Sequence, residues 1–488
     1  MKKNRKAGIL LPVSCLNSPF GIGSFGERAY EFVRFLRKSN QSYWQILPLG
    51  PVSEFGNSPY LSTSSFAGNF MYIDVKKLIE AGLLADKDVE SYNFSSKFVD
   101  YDYVRCAKDE ILRKAFENNK RLKVIDTQNF PERQFVYGFC VFNSLKKHFA
   151  GKCWLDFPKE IKYHEEKSLR FYENLLSDEI EYNLFVQDVF YKQYFDLKRY
   201  ANDLGIKIFG DLPIYVAKDS SDMWENPRMF DVNDDLSPKS VAGVPPDRFS
   251  EKGQYWGNPV YDWEHCEDTG FKWWIRRIHH NLKMYDLLRL DHFRGFESFW
   301  KIDCEKSSAE NGHWEKAKGD KLFEILKNEN LIERIVAEDL GLITREVKSL
   351  RDKYGFKKMK VMQFAFDLNE QSDYLPHNVT EDSVYYTGTH DNQTLRGFLE
   401  SVNADELQYI KDYVNASDDV DFSMIKSLYN TPSSLCMCQM QDFLYLDDDY
   451  RTNTPNTLGN WTWRLQDNFL SDELAQKISK IVKLYNRD

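Results

Sequence analysis

The sequence predicts an α/β protein, a (β/α)8 TIM barrel carrying largely helical and loop insertions. Three observations point to it: eight short apolar runs, amphipathic stretches between them, and acidic residues at the downstream ends of four runs. The runs occupy residues 8–13, 43–49, 206–212, 286–292, 335–340, 359–366, 384–389 and 435–446. Most are too short for a helix and do not alternate, as expected of strands covered on both faces. Between them, residues 26–39 carry Tyr30, Phe32, Val33 and Leu36 on one side and Arg28, Glu31, Arg34 and Lys38 elsewhere. Residues 181–204 form a long amphipathic stretch that ends at Gly205, a residue suited to the left-handed close of a helix. Residues 344–354 start at a threonine able to cap a helix and end at Gly355. An open doubly wound sheet is the alternative that the same alternation allows.

The spacing is uneven. Far more chain separates the second run from the third than one helix needs, so residues from about 76 to 180 read as a largely helical insertion. Residues from about 215 to 265 are rich in Gly, Pro, Asp and Asn and read as a long structured loop over the barrel mouth. The whole of 1–488 is expected to form one domain.

Composition narrows the partners. Apolar residues make up 42 % of the chain, enough for a sizeable core. A net charge of −10 and a pI near 5.6 argue against nucleic acid and anionic membrane. The 11 Trp, 28 Tyr and 35 Phe offer flat apolar faces that suit sugar rings as well as protein cores, and core packing accounts for most of them. The eight cysteines are scattered without a C-x-x-C pair, which fits reduced thiols in the cytoplasm and supports no Cys/His metal site. Lys2, Lys3, Arg5 and Lys6 before an apolar run imitate a signal peptide, but Pro12 interrupts the run and a first buried strand is expected. No stretch approaches ~18 uninterrupted apolar residues.

The chemistry lies at the run ends. Asp211 stands in Phe209-Gly-Asp-Leu-Pro, Asp291 in Leu288-Arg-Leu-Asp-His-Phe-Arg, Glu338 in Val336-Ala-Glu-Asp-Leu-Gly and Asp391 in Thr387-Gly-Thr-His-Asp. One such Asp could simply cap a helix; four at the rim of a barrel converge on its active-site face. Converging carboxylates suit glycosidic chemistry, which needs a proton donor, a nucleophile and negative charge beside an oxocarbenium-like transition state. The donor must be neutral and the nucleophile ionised, so their surroundings must separate their pKa values. Residues two apart on a strand share a face, which puts Arg289 beside Asp291 and favours its ionised form. Asp291 is thus the natural nucleophile, and Glu338, with no neighbouring cation in sequence, the natural acid. A structural ion pair inside the barrel is compatible with this reading of Arg289.

Motifs along the whole chain resemble those of amylomaltase, the disproportionating 4-α-glucanotransferase family of the α-amylase-like retaining enzymes. They include Ala7-Gly-Ile-Leu-Leu-Pro-Val, Trp44-Gln-Ile-Leu-Pro-Leu-Gly-Pro, Gly210-Asp-Leu-Pro-Ile-Tyr-Val-Ala, Gln254-Tyr-Trp-Gly-Asn-Pro-Val-Tyr, Arg289-Leu-Asp-His-Phe-Arg-Gly, Ala337-Glu-Asp-Leu-Gly and Tyr386-Thr-Gly-Thr-His-Asp-Asn. The resemblance implies Asp291 as nucleophile, Glu338 as general acid/base and Asp391 as the carboxylate that holds substrate hydroxyls. It implies that Asp211, Arg289 and His390 hold the sugar at the cleavage point and that Tyr60 stacks on it. Trp256 and Phe249 match a loop covering bound glucan, and Phe364 an aromatic on the acceptor side. Two departures concern glucan contacts: Arg248, where some relatives carry an aromatic, and Asn456, where a glycine is usual. No cofactor, no metal and no separate C-terminal β-sandwich domain are implied.

The expected reaction is a double displacement that moves α-1,4-glucan segments between malto-oligosaccharides, with configuration retained and the two working carboxyls ~5–5.5 Å apart. A hydrolase would use the same carboxylates. A catalytically inert glucan-binding protein would not need a paired acid and nucleophile. A cytoplasmic monomer or weak homo-oligomer is expected.

Overall fold

The computed structural model describes residues 5–53, 56–94, 96–246, 251–306, 308–369, 372–416 and 418–488. In chain order its strands are β1 Lys6–Leu10, β2 Tyr43–Gln45, β3 Lys207–Leu212, β4 Ser240–Val244, β5 Gln254–Pro259, β6 Leu287–Leu290, β7 Ser298–Asp303, β8 His313–Lys316, β9 Ile335–Ala337, β10 Lys357–Val361, β11 Ser383–Tyr386 and β12 Leu435–Gln439. Eight of them close into a parallel barrel in the order β1-β12-β11-β10-β9-β6-β3-β2. All eight apolar runs became these strands. The run after the basic N-terminal residues is β1, which seals the barrel between β12 and β2.

Most strands are clearly shorter than the runs, because the downstream part of the run turns over the rim; β3 fills its run to the end. Val361 leads straight into the 3-10 turn Met362–Phe364, and Gln439 into the short helix Met440–Phe443. Helix boundaries agree closely with the pattern: Glu27–Lys38, Ser177–Asp203 and Arg345–Tyr354. Gly205 and Gly355 follow the latter two with φ of 77° and 68°, the left-handed close that glycine adopts freely. Thr344 occupies the N-cap position, but its side chain makes no cap bond to the first turn. The span from about 76 to 180 contains the helices Tyr101–Leu122, Arg133–His148 and Glu166–Leu175.

The segment 215–265 departs from its reading as a loop. It contributes β4 and β5 to a four-stranded antiparallel sheet, β5-β4-β7-β8, which rises from the barrel rim. The partners β7 and β8 gave no run in the sequence. Each is only four to six residues long, and one face of the sheet is solvated, so no continuous apolar stretch marks it.

Phe209, Leu287, Val336, Met359, Val361, Val384, Tyr386, Leu435 and Met437 pack together in the barrel interior. The larger core lies outside, between strands and surrounding helices. Among the described residues no helix is long and apolar enough to cross a membrane, and no three His, Cys, Asp or Glu side chains could jointly hold a metal ion.

Candidate active site

Strand alternation builds the site. Side chains two apart point the same way, so the inward row of β3 runs from Phe209 to Asp211, and that of β6 from Leu287 through Arg289 to Asp291 just beyond the strand. The row of β9 likewise runs from Val336 to Glu338. The barrel is therefore apolar inside and charged at its C-terminal rim. The parallel register sets Asp211 level with Arg289.

Arg289, only 4 % exposed, is the hub. Its Nη1 donates to both oxygens of Asp211 at 2.9 Å and to Asp291 Oδ1 at 2.8 Å. Its Nη2 lies 4.0 Å from Glu338 Oε2. Taking a guanidinium this far from water is tolerable only because carboxylates surround it.

Burial governs both working carboxyls. It pushes Asp291 up to about 6 against the pull of Arg289, with Asp211 and Asp391 adding to the rise. It pushes Glu338 up to about 8, again opposed by Arg289 and reinforced by Asp291. Arg289 favours the ionised form of Asp291, as its place on the strand implies, but dehydration outweighs it and raises both groups, and the shorter Arg289 contact keeps Asp291 the more acidic. Glu338 is oriented by two backbone donors, His292 N at 2.7 Å to Oε2 and Leu340 N at 2.9 Å to Oε1. His292 reaches that position in left-handed backbone, φ 46°.

Asp391 has the opposite character. Burial would raise its carboxyl, but His390, the Asn453 amide and Arg289 outweigh it and hold Asp391 well below the usual carboxylate range. His390 Nε2 lies 3.3 Å from Asp391 Oδ2, and Asn453 Nδ2 donates to Oδ1 at 2.6 Å. Arg451 donates to the Asp391 carbonyl at 2.5 Å. The Tyr60 hydroxyl donates to Asp211 Oδ2 at 2.6 Å, and its ring stacks on His390 with centroids 4.9 Å apart and planes at 14°. Burial and the charge of Asp211 hold the Tyr60 hydroxyl well above its ordinary range, so it stays a donor.

The chain matches the family model described as 4-alpha-glucanotransferase over residues 11–471. It belongs to that family. The 4-alpha-glucanotransferase of Clostridium butyricum is 42 % identical over 97 % of this chain and 99 % of its own. That of Aquifex aeolicus is 41 % identical over 99 % and 100 %. The solved structure of amylomaltase from Streptococcus agalactiae in complex with acarbose, 38 % identical, superposes with a TM-score of 0.95 over 99 % of both chains. The expected family, its barrel fold and its class of glycosyl-transferring enzyme therefore hold for this chain.

Seven of the residues expected at the site of this glucanotransferase form one bonded set: Tyr60, Asp211, Arg289, Asp291, Glu338, His390 and Asp391. Trp256 joins through its ring, which meets the edge of His292 at 4.9 Å. Burial, Arg294 and Arg289 push His292 down to about 4, so the ring there is neutral. Phe364 packs on the barrel-interior cluster and meets Tyr374 edge-on at 5.7 Å. Phe249 and Arg248 lie outside the described residues.

Asn453, Arg451 and Trp461, which tilts against both Tyr60 and His390, were not anticipated as site residues. They come from the far end of the chain, and their segment carries no strand or helix signal. Asn456 sits in the same loop with φ 64°. Asparagine tolerates the left-handed region better than most residues, so it can occupy a position whose backbone suits glycine.

Proposed function

We propose that this enzyme moves α-1,4-glucan segments between malto-oligosaccharides by a retaining double displacement, with Asp291 as nucleophile and Glu338 as acid and base. One observation carries the assignment: two carboxyls share a guanidinium, and the one nearer to it, Asp291, titrates lower. Between about pH 6 and 8 Asp291 is ionised and Glu338 protonated, the state the first step requires. Asp291 attacks the anomeric carbon, the glycosidic bond breaks, and the Glu338 proton goes to the leaving oxygen. Glu338, now a carboxylate, takes the proton of an acceptor hydroxyl, whose oxygen displaces Asp291. Two inversions give retention.

Asp391, ionised throughout, accepts from substrate hydroxyls and stabilises positive charge at the sugar ring. Asp211 and Arg289 hold that sugar, and Tyr60 with His390 forms the wall on which it stacks. Trp256, on the hairpin of β4 and β5, covers bound glucan and limits water, while Phe364 lines the acceptor side. The acarbose bound to the amylomaltase relative fits such a site. All of 1–488 serves as one catalytic unit, and eight unpaired cysteines fit a reducing, cytoplasmic setting.

Maltotriose tests this. Transfer yields glucose and a ladder of longer oligosaccharides; glucose and maltose alone would make the protein a hydrolase and sink the proposal. Asp291→Asn is expected to fold normally and lose transfer, and near-normal turnover in that variant would remove Asp291 from its role.

A further inference from the structure

The four-stranded sheet has two different faces. Phe299 and Ala242 point inward to the main core, and Trp256 points to His292 in the cleft. The neighbours of Trp256 and Phe299 in sequence, Tyr255 and Trp300, must therefore point outward. Register places Tyr255 opposite Gly243, Gly243 opposite Trp300, and Trp300 opposite Trp314. Directly paired residues share a face, so Tyr255, Trp300 and Trp314 form one row across all four strands, broken only where Gly243 has no side chain.

The row is open at its two ends and rigid, with Trp300 between them half-buried against Val241, Ile302 and Ala309. Tyr255 is 45 % and Trp314 37 % exposed. The Trp300 and Trp314 rings meet edge to face at 5.2 Å. Trp300 is pinned by its Nε1, which donates to Ala309 O at 2.8 Å, and the Arg294 guanidinium lies 3.7 Å from the Trp314 ring centroid. Aromatic rings held this firmly on a surface lose little freedom when a ligand stacks on them. Between Tyr255 and Trp300, two strand spacings or ~9–10 Å apart, the Ile302 side chain lies over Gly243 and fills the floor of the row. Exposed Glu310 and Asn311, beside Ala309, offer polar groups at its border.

We propose that this outer face is a second glucan-binding platform, on which a long α-1,4-glucan stacks against Tyr255, Trp300 and Trp314 outside the reaction cleft. It rests on the glucan-transfer reading above. A glucan is favoured over a protein partner because the rings are few, spaced and bordered by polar groups, and because the platform is continuous with the cleft wall. Residue Tyr255 sits beside Trp256, and Arg294 stands three residues beyond Asp291 and also donates to the Leu342 carbonyl in the loop after Glu338. A polymer too long for the cleft is thereby kept at its edge, while maltotriose is too short to reach.

The test separates binding from turnover. In native gels containing glycogen, the Asp291→Asn protein should be retarded, and adding Tyr255→Ala with Trp314→Ala should weaken apparent glycogen affinity about tenfold. With Asp291 intact, the same two substitutions should leave maltotriose disproportionation unchanged, which also shows that the fold survives. The platform is overturned if the parent is not retarded or if the doubly substituted protein is retarded equally. It is overturned too if maltotriose turnover falls in step, or if the substitutions change only the oligomeric state on size exclusion. Maltotriose turnover of the unsubstituted enzyme tests the transfer reading independently.

Discussion

Replacing Arg289 by glutamine should raise the pH at which the nucleophile ionises and narrow its separation from the acid. Arg289 Nη1 sits 2.8 Å from Asp291 Oδ1, so the charge centres are about 4 Å apart. At an effective dielectric of about 20, that attraction is about 4 kcal/mol, or about 3 pH units. Asp291, now at about 6, would then rise by that much, while Glu338, farther from Arg289 at 4.0 Å, would rise less, so the two draw together. At pH 7 only about 1 % of the nucleophile would remain ionised, and kcat/KM would fall about 100-fold. The assay is glucose release from maltotriose between pH 5 and 10. The unsubstituted enzyme should give a bell with limbs near 6 and 8, and Arg289→Gln should shift the acid limb upward. Arg289→Lys, which keeps a charge but loses the fork, should shift the limb less. Asp211 also loses its partner, so a melting curve must show that the variant is folded before its profile is read. A folded Arg289→Gln enzyme with an unmoved acid limb would refute the electrostatic argument.

Three further outcomes are expected. Asn453→Ala removes the 2.6 Å bond to Asp391 and should lower kcat about 10- to 100-fold with a smaller change in KM; an unchanged kcat would mean that Asp391 needs no such holder. Tyr60→Phe loses the hydroxyl's bonds to Asp211 and, at 3.4 Å, His390 Nδ1 and should cost about tenfold in kcat/KM, whereas Tyr60→Ala also loses the stack on His390 and should cost more; equal losses would deny the ring a role. Asp442, 1 % exposed, is pushed up to about 7 by burial, despite donors from Thr387 and the Leu395 N–H. Its folded value lies above the ordinary 3.8, so the stability it contributes is full below about pH 4 and is lost as pH rises through about 7. Asp442→Asn should therefore gain in melting temperature relative to the unsubstituted protein on going from pH 5 to pH 8, and a constant difference across that range would contradict the shift.

The barrel was legible because each strand announces itself locally. A strand buried on both faces must be a short continuous apolar run, and the polar residue that ends it must sit at the rim; β3 with Asp211 and β6 with Asp291 obey both rules. The pairing of Arg289 with Asp291 was legible for the same reason, since strand period alone decides it. The β7 and β8 strands were not, because a half-solvated sheet of short strands has no pattern distinct from a polar loop. Nor was the reach of Asn453, Arg451 and Trp461 to Asp391, His390 and Tyr60, because long-range loop contacts leave no period in the chain.

By itself, then, the sequence determined which residues face the barrel interior and which carboxylates crown it, for those follow from side-chain alternation along single strands. Only the tertiary structure decided how those carboxylates differ. Closure of the barrel buries Asp291 and Glu338 together, sets them at unequal distances from one guanidinium, and leaves Asp391 to His390 and Asn453. Charge and dehydration depend on distances between strands far apart in the chain, and no local pattern records them.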